Sequence, residues 1–175
     1  MNYYFLSDIH GNLPALEIVL KNIEKDSTII FLGDVVNYGP WSSECVELID
    51  TIENKILIIG NHEKYYLKPE LITNTLVKKF YDVTIKNFKP FDLISNYLER
   101  YDFFSYQCIH TINNEKIFKD TKVNIRNNFI IGHTHKQYIN VVNKFKIINP
   151  GSVGQNRDNL NIISYCKFNN KNFFE

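Results

Sequence analysis

The 175-residue sequence has only three cysteines, and no two of them lie close together in the chain. Cys45, Cys108 and Cys166 form no Cys-x-x-Cys pair, so the pattern favours neither a zinc ribbon nor a disulfide framework. We therefore expect free thiols and a reducing, cytoplasmic setting for this chain.

Long hydrophobic runs are missing as well. No apolar stretch approaches the roughly 18 residues that a membrane-spanning helix requires. The apolar start, residues 1–6, is shorter than the hydrophobic region of a signal peptide, and polar residues follow from Ser7. The sequence therefore predicts a chain that neither crosses a membrane nor carries a signal peptide.

Charge is nearly balanced, with a formal net charge of +1 from 20 basic and 19 acidic residues. No block of like charge stands out, and no stripe of interleaved aromatic and basic residues is present. The sequence therefore does not favour a nucleic-acid partner or a membrane-binding surface.

What the sequence does contain is an alternation of short apolar runs and helical patterns in its first third. Asn12 stands where the first helix would begin, and Ser42 or Ser43 where the second would begin. Strand–helix–strand repeated in this way predicts parallel strands joined by right-handed crossovers. The predicted strands cover residues 3–6, 29–32 and 56–59, and the predicted helices cover residues 13–23 and 42–52.

The rest of the chain changes character twice. Residues 64–100 show helical spacing interrupted near Pro69 and Pro90, which predicts two or three helices. Short β-type runs separated by turn residues follow, and they predict mostly antiparallel strands. These runs cover residues 103–109, 128–131, 138–142, 145–148 and 160–168. Neither a repeat nor a linker divides the chain, so we expect one α/β domain over residues 1–175.

The histidines occupy related positions. Each of the five stands at or just beyond the end of a predicted strand: His10, His62, His110, His133 and His135. In open α/β sheets, ligands bind at the carboxyl ends of the strands. We therefore expect the five imidazoles to converge at one edge of the fold.

Two motifs place metal-ligand types one residue apart. Asp8 and His10 flank Ile9 after the first strand, and His133 and His135 repeat the spacing late in the chain. In extended backbone, residues i and i+2 point to the same side. Asp8 and His10 are therefore predicted to bind one ion together, with Ile9 turned into the core, and His133 and His135 are predicted to point to one side in the same way.

Polar residues also follow the second and third strands. Taken alone, Asp34 could cap a helix, Asn61 could be the N-cap of a helix that starts near Glu63, and one histidine could be a hydrogen-bonded core residue. Together the strand-end residues predict a site for two divalent ions, because carboxylate, imidazole and amide oxygen suit manganese, iron or zinc. Two such ions and two aspartates leave a net positive charge, which suits an anionic phosphate.

These residues fall in blocks that resemble the calcineurin-like metallophosphoesterases. The blocks stand in the order typical of that family and extend from the N-terminus to about Asp158. The loop Asn149-Pro150-Gly151-Ser152 resembles the small bacterial and archaeal phosphodiesterase branch. The other matching blocks are Ser7-Asp8-Ile9-His10-Gly11-Asn12, Gly33-Asp34 running to Gly39-Pro40, Gly60-Asn61-His62-Glu63, His110, and Gly132-His133-Thr134-His135.

The resemblance implies a four-layer α-β-β-α sandwich of two mixed sheets with a two-metal site at one edge. It implies that Asp34 bridges two divalent ions, manganese before iron, zinc or nickel, and that a metal-activated hydroxide attacks the phosphate ester. It also implies that His62 binds no metal but protonates the leaving oxygen or steadies the charge that develops on the phosphate. The remaining implied ligands are Asp8, His10 and His135 for the first metal, and Asn61, His110 and His133 for the second.

The sequence departs from the family pattern near the substrate site. Thr111 follows His110 where glycine is common, and the stretch 112–128 is short, which predicts a more open site. Arg157 is a candidate phosphate contact, with a surface pair to Asp158 as the alternative.

Four other side chains receive predictions. Asn37 is a second candidate for a substrate contact, with a hydrogen bond to its own turn as the alternative. Tyr65 and Tyr66 are predicted to line the site or join the core, and Trp41 is predicted to be core.

The predicted function is hydrolysis of a phosphate ester of a small molecule or nucleotide, by a phosphodiesterase or phosphatase. One alternative is a protein phosphatase or dinucleoside-polyphosphate hydrolase, although such relatives usually carry Asp-Arg-Gly where this chain has Asn37-Tyr38-Gly39. Another is a non-catalytic protein-binding scaffold of the same fold, although such scaffolds tend to lose the histidine found here as His62. Oligomer formation through apolar strand edges in the C-terminal part is left open.

Overall fold

The computed structural model describes residues 2–169 and 172–174, which form two five-stranded mixed sheets and a set of helices. The strands are β1 (Tyr3–Leu6), β2 (Thr28–Phe31), β3 (Lys55–Leu57), β4 (Tyr101–Phe103), β5 (Tyr106–Cys108), β6 (Asn128–Ile130), β7 (Gln137–Val142), β8 (Phe145–Pro150), β9 (Cys166–Asn169) and β10 (Asn172–Phe174). The helices are α1 (Leu13–Asn22), α2 (Ser42–Asp50), α3 (Asn61–Leu67), α4 (Thr75–Thr84) and α5 (Phe91–Ser95), with 3-10 turns at Pro69–Leu71 and Ile85–Asn87. The strand orders are β10-β9-β1-β2-β3 and β4-β5-β6-β8-β7.

The first sheet grows from three parallel strands, as the sequence predicts. β1 pairs with β2 and β2 with β3, with Phe5 opposite Ile30 and Ile30 opposite Ile56. β1 is apolar on both faces because Tyr4 and Leu6 pack with the helices while Phe5 packs with the second sheet. Full burial of one large apolar side chain stabilises a fold by roughly 1.5–3 kcal/mol, so this strand is held from both sides.

The second sheet is mixed rather than mostly antiparallel, which corrects the prediction for this part of the chain. β6 pairs in parallel with both β5 and β8, whereas β4–β5 and β7–β8 are antiparallel. The predicted strand over residues 103–109 is broken because Phe104, with a φ of 49°, turns the chain between β4 and β5. Of the predicted run 160–168, only the end belongs to a strand.

Three apolar clusters hold the layers together. The first lies between the first sheet and the helices, where Leu16 and Ile49 are fully buried, and the second lies between the two sheets. The third covers the outer face of the second sheet, where Ile117 and Ile125 pack with Ile147. The architecture is the predicted four-layer sandwich, and its outermost layer over the second sheet is the irregular segment 111–127.

Helix starts agree with the sequence at α1 but not at α2. The Asn12 side chain accepts the N–H of Ala15 at 3.2 Å, as an N-cap does. α2 begins after Trp41 without a side-chain cap, because the Ser42 hydroxyl accepts the N–H of Asn37 instead. The prediction of a core Trp41 is wrong, since its side chain is 40% exposed where the chain enters α2. Among the described residues, every helix is too short or too polar to form a transmembrane span.

Candidate metal centre

The strand-end residues meet at one end of the two sheets, on the loops that follow β1, β2, β5 and β6 and in the first turn of α3, which follows β3. Their ligand atoms form three overlapping groups, and within each group all atoms lie within 4.8 Å of one another. The groups are Asp8, His10 and His135; His10, Asp34 and His62; and Asp34, His110 and His133. The structure thus brings together the five histidines and both strand-end aspartates.

Left-handed backbone, not extended backbone, aims these side chains at one another. Positive φ values occur at Asp8 (55°), His10 (50°), His133 (69°) and His135 (61°). The predicted geometry of an extended strand is therefore wrong at both motifs, although Ile9 does point into the core. Each left-handed non-glycine residue costs on the order of 1 kcal/mol, so strain is concentrated at the site.

Backbone carbonyls orient three of the imidazoles. The Nδ1–H groups donate as follows: His10 to the Val36 oxygen at 3.1 Å, His110 to the Leu32 oxygen at 2.7 Å, and His135 to the Gln155 oxygen at 2.7 Å. A carbonyl oxygen can only accept, so in each neutral ring Nδ1 carries the proton and Nε2 presents a lone pair. Proteins commonly orient metal-binding histidines in this way.

The lone pairs of one set face other electron-rich atoms. His10 Nε2 lies 3.2 Å from His135 Nε2, which lies 3.5 Å from Asp8 Oδ1. Asp8 Oδ1 is buried and has no hydrogen-bond partner within the described part of the chain. Buried atoms of this kind repel one another unless a cation lies among them. The donor set of Asp8, His10 and His135, which we call the buried group, therefore fits a divalent ion.

A second donor set gathers around His110. His110 Nε2 lies 3.1 Å from Asn61 Oδ1 and 3.1 Å from Asp34 Oδ2. The His133 ring packs edge-on against the His110 ring, with centroids 5.2 Å apart. We call Asn61, His110 and His133 the open group, because Asn61 and His133 are only half-buried.

Asp34 lies between the two groups. Its Oδ1 accepts the N–H of His62 at 2.9 Å. Its Oδ2 lies 3.1 Å from Nε2 of His110 in the open group and 4.0 Å from Nε2 of His10 in the buried group. One carboxylate is therefore within reach of both donor sets.

Burial and neighbouring charges set the protonation of the site. Burial, followed by the charge of His62, holds the pKa of His10 well below its usual value. Burial acts most strongly and lowers the pKa of His110, but the charge of Asp34, the hydrogen bond to Asp34 and the charge of Asp8 together outweigh it and raise that pKa to about 9. Burial acts to raise the pKa of Asp34, but His110 and His62 hold it well below its usual range. The space between Asp34 and His110 therefore favours positive charge, as a cation site must.

His133 differs from His110 in this respect. Burial, followed by the charge of His110, lowers the pKa of His133 to about 4. The imidazole of His133 is therefore neutral near pH 7, which is the form that binds a metal.

Glu63, to which the sequence patterns assigned no role, braces the loop that carries Asp34. Its fully buried carboxylate accepts four backbone N–H groups: Asp34 at 2.8 Å, Val35 at 2.7 Å, Val36 at 3.2 Å and Gly60 at 2.7 Å. Burial and the charge of Asp34 raise the pKa of Glu63 to about 7, while the four donors favour the ionised form. The sequence does contain a signal for this role, because a glutamate at the third helical position after the N-cap Gly60 is typical of a capping box.

Asn37 lies behind His62. Its Oδ1 accepts the N–H of Tyr38 at 2.8 Å, which orients Nδ2 towards Nδ1 of His62 at 2.9 Å. Asn37 has 0% exposure. The prediction of a substrate contact is therefore wrong for Asn37, and the alternative hydrogen bond to its own turn is present.

A cavity of about 500 Å³, which we call the polar cavity, adjoins the site, and Asp34, His62, His133 and His135 are among its lining residues. Arg157 lines it as well, and the alternative pair with Asp158 is absent from the described residues because Asp158 binds Lys136. Thr111 and Tyr65 also contribute to the lining, whereas Tyr66 is buried in the core.

Comparisons with known proteins agree with this arrangement. A sequence profile described as calcineurin-like phosphoesterase matches residues 1–165. An uncharacterised protein of Methanocaldococcus jannaschii is 32% identical over an alignment of 204 residues, which covers 96% of this chain and 82% of that protein. The crystal structure of a metallophosphoesterase from Sphaerobacter thermophilus aligns with a TM-score of 0.74 and 26% identity, covering 97% of this chain and 84% of that one.

A shorter similarity links the chain to a symmetrical bis(5'-nucleosyl)-tetraphosphatase of Coxiella burnetii. The two are 35% identical over 69 residues, which is 38% of this chain and 24% of that protein. The similarity therefore spans about a quarter of the tetraphosphatase. The profile match, in contrast, extends over nearly the whole chain and includes every strand-end residue that converges in the structure. This chain is a phosphoric ester hydrolase that belongs to the calcineurin-like phosphoesterase family.

Proposed function

We propose that this chain hydrolyses the phosphate ester of a small molecule or nucleotide with two divalent metal ions. The observation that carries the proposal is the cluster of electron-rich ligand atoms around Asp34, in which each group of three lies within 4.8 Å. In the buried group, Asp8 Oδ1 and the Nε2 lone pairs of His10 and His135 would repel one another without a cation among them. The adjoining cavity of about 500 Å³ gives an anionic ester access to them.

The buried group and the open group would each hold one ion, and Asp34 would bind both. When bound, the ions supply a nucleophile at neutral pH and positive charge for the attacking and leaving oxygens. The mixture of carboxylate, imidazole and amide oxygen favours manganese, with iron, zinc and nickel as alternatives. The chain's own residues fix the orientation of these ligands through the carbonyl contacts of His10, His110 and His135.

His62 is assigned the role of a hydrogen-bond donor that stabilises the charge developing on the leaving oxygen. Because its Nδ1 accepts from Asn37, the proton of the neutral ring resides on Nε2. His62 lines the polar cavity, and its Nε2 lies 3.9 Å from Asp34 Oδ2. Asn37 is then a positioning residue that keeps this tautomer. His62 also falls in one donor group with His10 and Asp34, so the test below includes metal content.

Arg157 is assigned a contact with the substrate phosphate. Its side chain is exposed and lines the polar cavity, and it forms no salt bridge within residues 2–169 and 172–174. A guanidinium group matches the geometry of phosphate oxygens.

The test assays metal-stripped protein on bis-p-nitrophenyl phosphate and p-nitrophenyl phosphate, with Mn²⁺, Ni²⁺, Zn²⁺ or Mg²⁺ added back. We expect a metal to restore turnover, and the ratio of the two rates ranks diesterase against monoesterase. His62→Ala should keep both ions and lose activity by roughly 10²–10⁴-fold. Lys68→Ala, exposed at the end of the same helix, is the control and should resemble the wild type.

Two results would contradict these assignments. Folded protein without turnover on any phosphate ester and with any metal would overturn the proposed hydrolysis. If His62→Ala lost bound metal and activity to the same extent, His62 would be a metal ligand rather than a hydrogen-bond donor to the leaving oxygen.

A dinucleoside polyphosphate is a second candidate substrate. The observation in its favour is the 35% identity to a symmetrical tetraphosphatase over 69 residues. Lys116 and Arg157 both line the polar cavity, and further phosphates would meet these two cations. A faster reaction with diadenosine tetraphosphate than with bis-p-nitrophenyl phosphate, slowed selectively by Lys116→Ala, would establish this substrate. Equal slowing of both reactions would exclude it.

A cytoplasmic setting is also part of the proposal. Cys45, Cys108 and Cys166 are buried, and no disulfide joins any two of them. Free thiols are typical of proteins in reducing compartments. Fractionation of cells that express the tagged chain tests this directly, and recovery in an oxidising compartment would contradict it.

A further inference from the structure

A second cavity with different chemistry adjoins the candidate metal centre. It measures about 330 Å³, and its lining includes Tyr38, Trp41, Phe80, Leu160 and His10. None of its lining residues is an aspartate, glutamate, lysine or arginine. We call it the aromatic cavity, in contrast to the polar cavity, which Lys64, Lys116 and Arg157 line.

Tyr38 separates the two cavities, because it lines both of them. Its ring centroid lies 4.8 Å from that of His10, 4.9 Å from that of His62 and 5.1 Å from that of Phe80. The aromatic cavity therefore borders the metal centre at His10, and its Tyr38 wall also contacts His62.

The backbone at Tyr38 is strained. Asn37 has a φ of 71° and Tyr38 a φ of 62°, so two consecutive non-glycine residues are left-handed. For a side chain as bulky as tyrosine this conformation is a true outlier. Strain of this kind persists where the surrounding structure enforces it, and it is found preferentially at active sites and ligand clamps. The turn thus presents the Tyr38 ring between the two cavities at a cost in stability.

The other large side chains of the aromatic cavity are partly or largely uncovered. Trp41 is 40% exposed, Phe80 is 39% exposed and Leu160 is 81% exposed. Aromatic faces of this kind bind flat rings by stacking or edge contacts, and the lack of charge around them favours an uncharged ring over a phosphate.

We propose that the aromatic cavity binds a flat aromatic group carried by the leaving alcohol of the substrate. The preferred substrates are then phosphate esters whose alcohol bears an aryl ring or a nucleobase. This inference rests on the proposed function, since His62 contacts Tyr38 and would donate its Nε2–H as a hydrogen bond to the oxygen that leaves with that alcohol. In the reaction, water adds to phosphorus, the P–O bond to the alcohol breaks, and a proton of the attacking water ends on the leaving oxygen, whose developing charge the hydrogen bond from His62 stabilises while the ring stays neutral.

The test compares benzyl phosphate with cyclohexylmethyl phosphate, whose leaving alcohols have similar basicity but differ in having a flat aromatic ring. We expect wild-type kcat/KM to favour the benzyl ester by roughly 2–10-fold. Tyr38→Leu and Phe80→Ala should bring the ratio close to one. Val83→Ala removes an exposed apolar group from the same helix as Phe80 outside the cavity, and it should keep the wild-type ratio.

A nucleobase and a simple aryl group are distinguished by a second pair, adenosine 5'-monophosphate and ribose 5-phosphate. A preference for the nucleotide that Tyr38→Leu removes identifies a nucleobase as the ring, whereas a benzyl preference alone identifies an aryl group. Ratios that are the same in the wild type, Tyr38→Leu and Phe80→Ala overturn the proposal.

Calorimetry with benzylphosphonate and cyclohexylmethylphosphonate on the manganese-loaded protein separates this proposal from the proposed function. Tighter binding of the benzyl compound that Tyr38→Leu abolishes supports the aromatic cavity even if no ester is hydrolysed. Equal affinity for the two phosphonates, or binding of neither, overturns it while hydrolysis of the esters can still stand.

Discussion

The buried group and the open group use the same ligand chemistry in different surroundings. Asp8, His10 and His135 are at most 4% exposed. Asn61 and His133 are half-buried and line the polar cavity, whereas His135 is the one member of the buried group that lines it. We therefore expect the buried group to retain its ion more firmly and the open group to meet the substrate and exchange its ion faster.

The two groups are also braced by different segments, β8 with the loop after it and helix α3. Behind the buried group, the Ser152 hydroxyl donates to the Asp8 carbonyl at 2.7 Å, and Asn149 Nδ2 donates to the Gly132 carbonyl at 2.7 Å. Beside the open group, the Glu63 carboxylate holds the Asp34 loop. Hydrogen bonds to buried backbone groups, rather than the ligands alone, thus keep each donor set in place.

The largest expected effect comes from the residue that the two groups share. Asp34→Ala should empty both sites and abolish activity, because one carboxylate serves both ions. Elemental analysis of purified protein measures this, with the exposed Asp82→Ala as the control. Two ions per chain in the Asp34 variant would show that the two groups are independent.

Removing one histidine from each group should separate the two ions. His135→Ala should lose the ion of the buried group and keep the other, and His133→Ala should do the reverse. Each change removes one imidazole from one donor set and leaves Asp34 intact. Elemental analysis of each variant, loaded with Mn²⁺ as the only metal, measures the outcome. Loss of both ions in both variants would mean that the two groups bind metal as one unit.

Weakening the brace that Glu63 provides for the Asp34 loop should destabilise the fold. In Glu63→Gln, only one side-chain oxygen remains to accept the four backbone N–H groups. The amide NH₂ then faces the N–H groups that have lost their acceptor. We expect the free energy of unfolding to fall by roughly 1–3 kcal/mol. Chemical denaturation measures it, with Glu53→Gln, an exposed glutamate, as the control. An unchanged free energy of unfolding would show that Glu63 does not stabilise the Asp34 loop.

The smallest expected effect is kinetic. A chelator should remove the two ions in two phases, the faster one from the open group, because solvent reaches Asn61 and His133 through the polar cavity. Stopped-flow detection of released metal measures the phases. In His133→Ala the fast phase should be missing, and a single phase in the wild type would contradict the difference in access.

Much of the site could be predicted because strand ends are visible in the sequence. Apolar runs such as residues 29–32 end at glycine, and a ligand type follows within a few positions. Parallel pairing of β1, β2 and β3 then brings their carboxyl ends together. The positions of Asp34 and His62 follow from this pattern and elementary sheet geometry.

The remaining features depend on contacts that are distant in sequence. The left-handed turn at Asp8 and His10 is fixed by their N–H groups, which donate to the Gly33 and Asp34 carbonyls at 3.1 and 3.0 Å. The burial of Asn37 behind His62 and the exposure of Trp41 likewise depend on how neighbouring loops pack. Local spacing carries no information about these partners.

The central claim is that two ions bind side by side and share Asp34. Crystals of the manganese-loaded protein, measured for anomalous scattering, test it most directly. We expect two peaks about 3.5–4 Å apart, one within the buried group and one within the open group, with Asp34 contacting both. A single peak, or a second peak away from Asn61, His110 and His133, would contradict the claim.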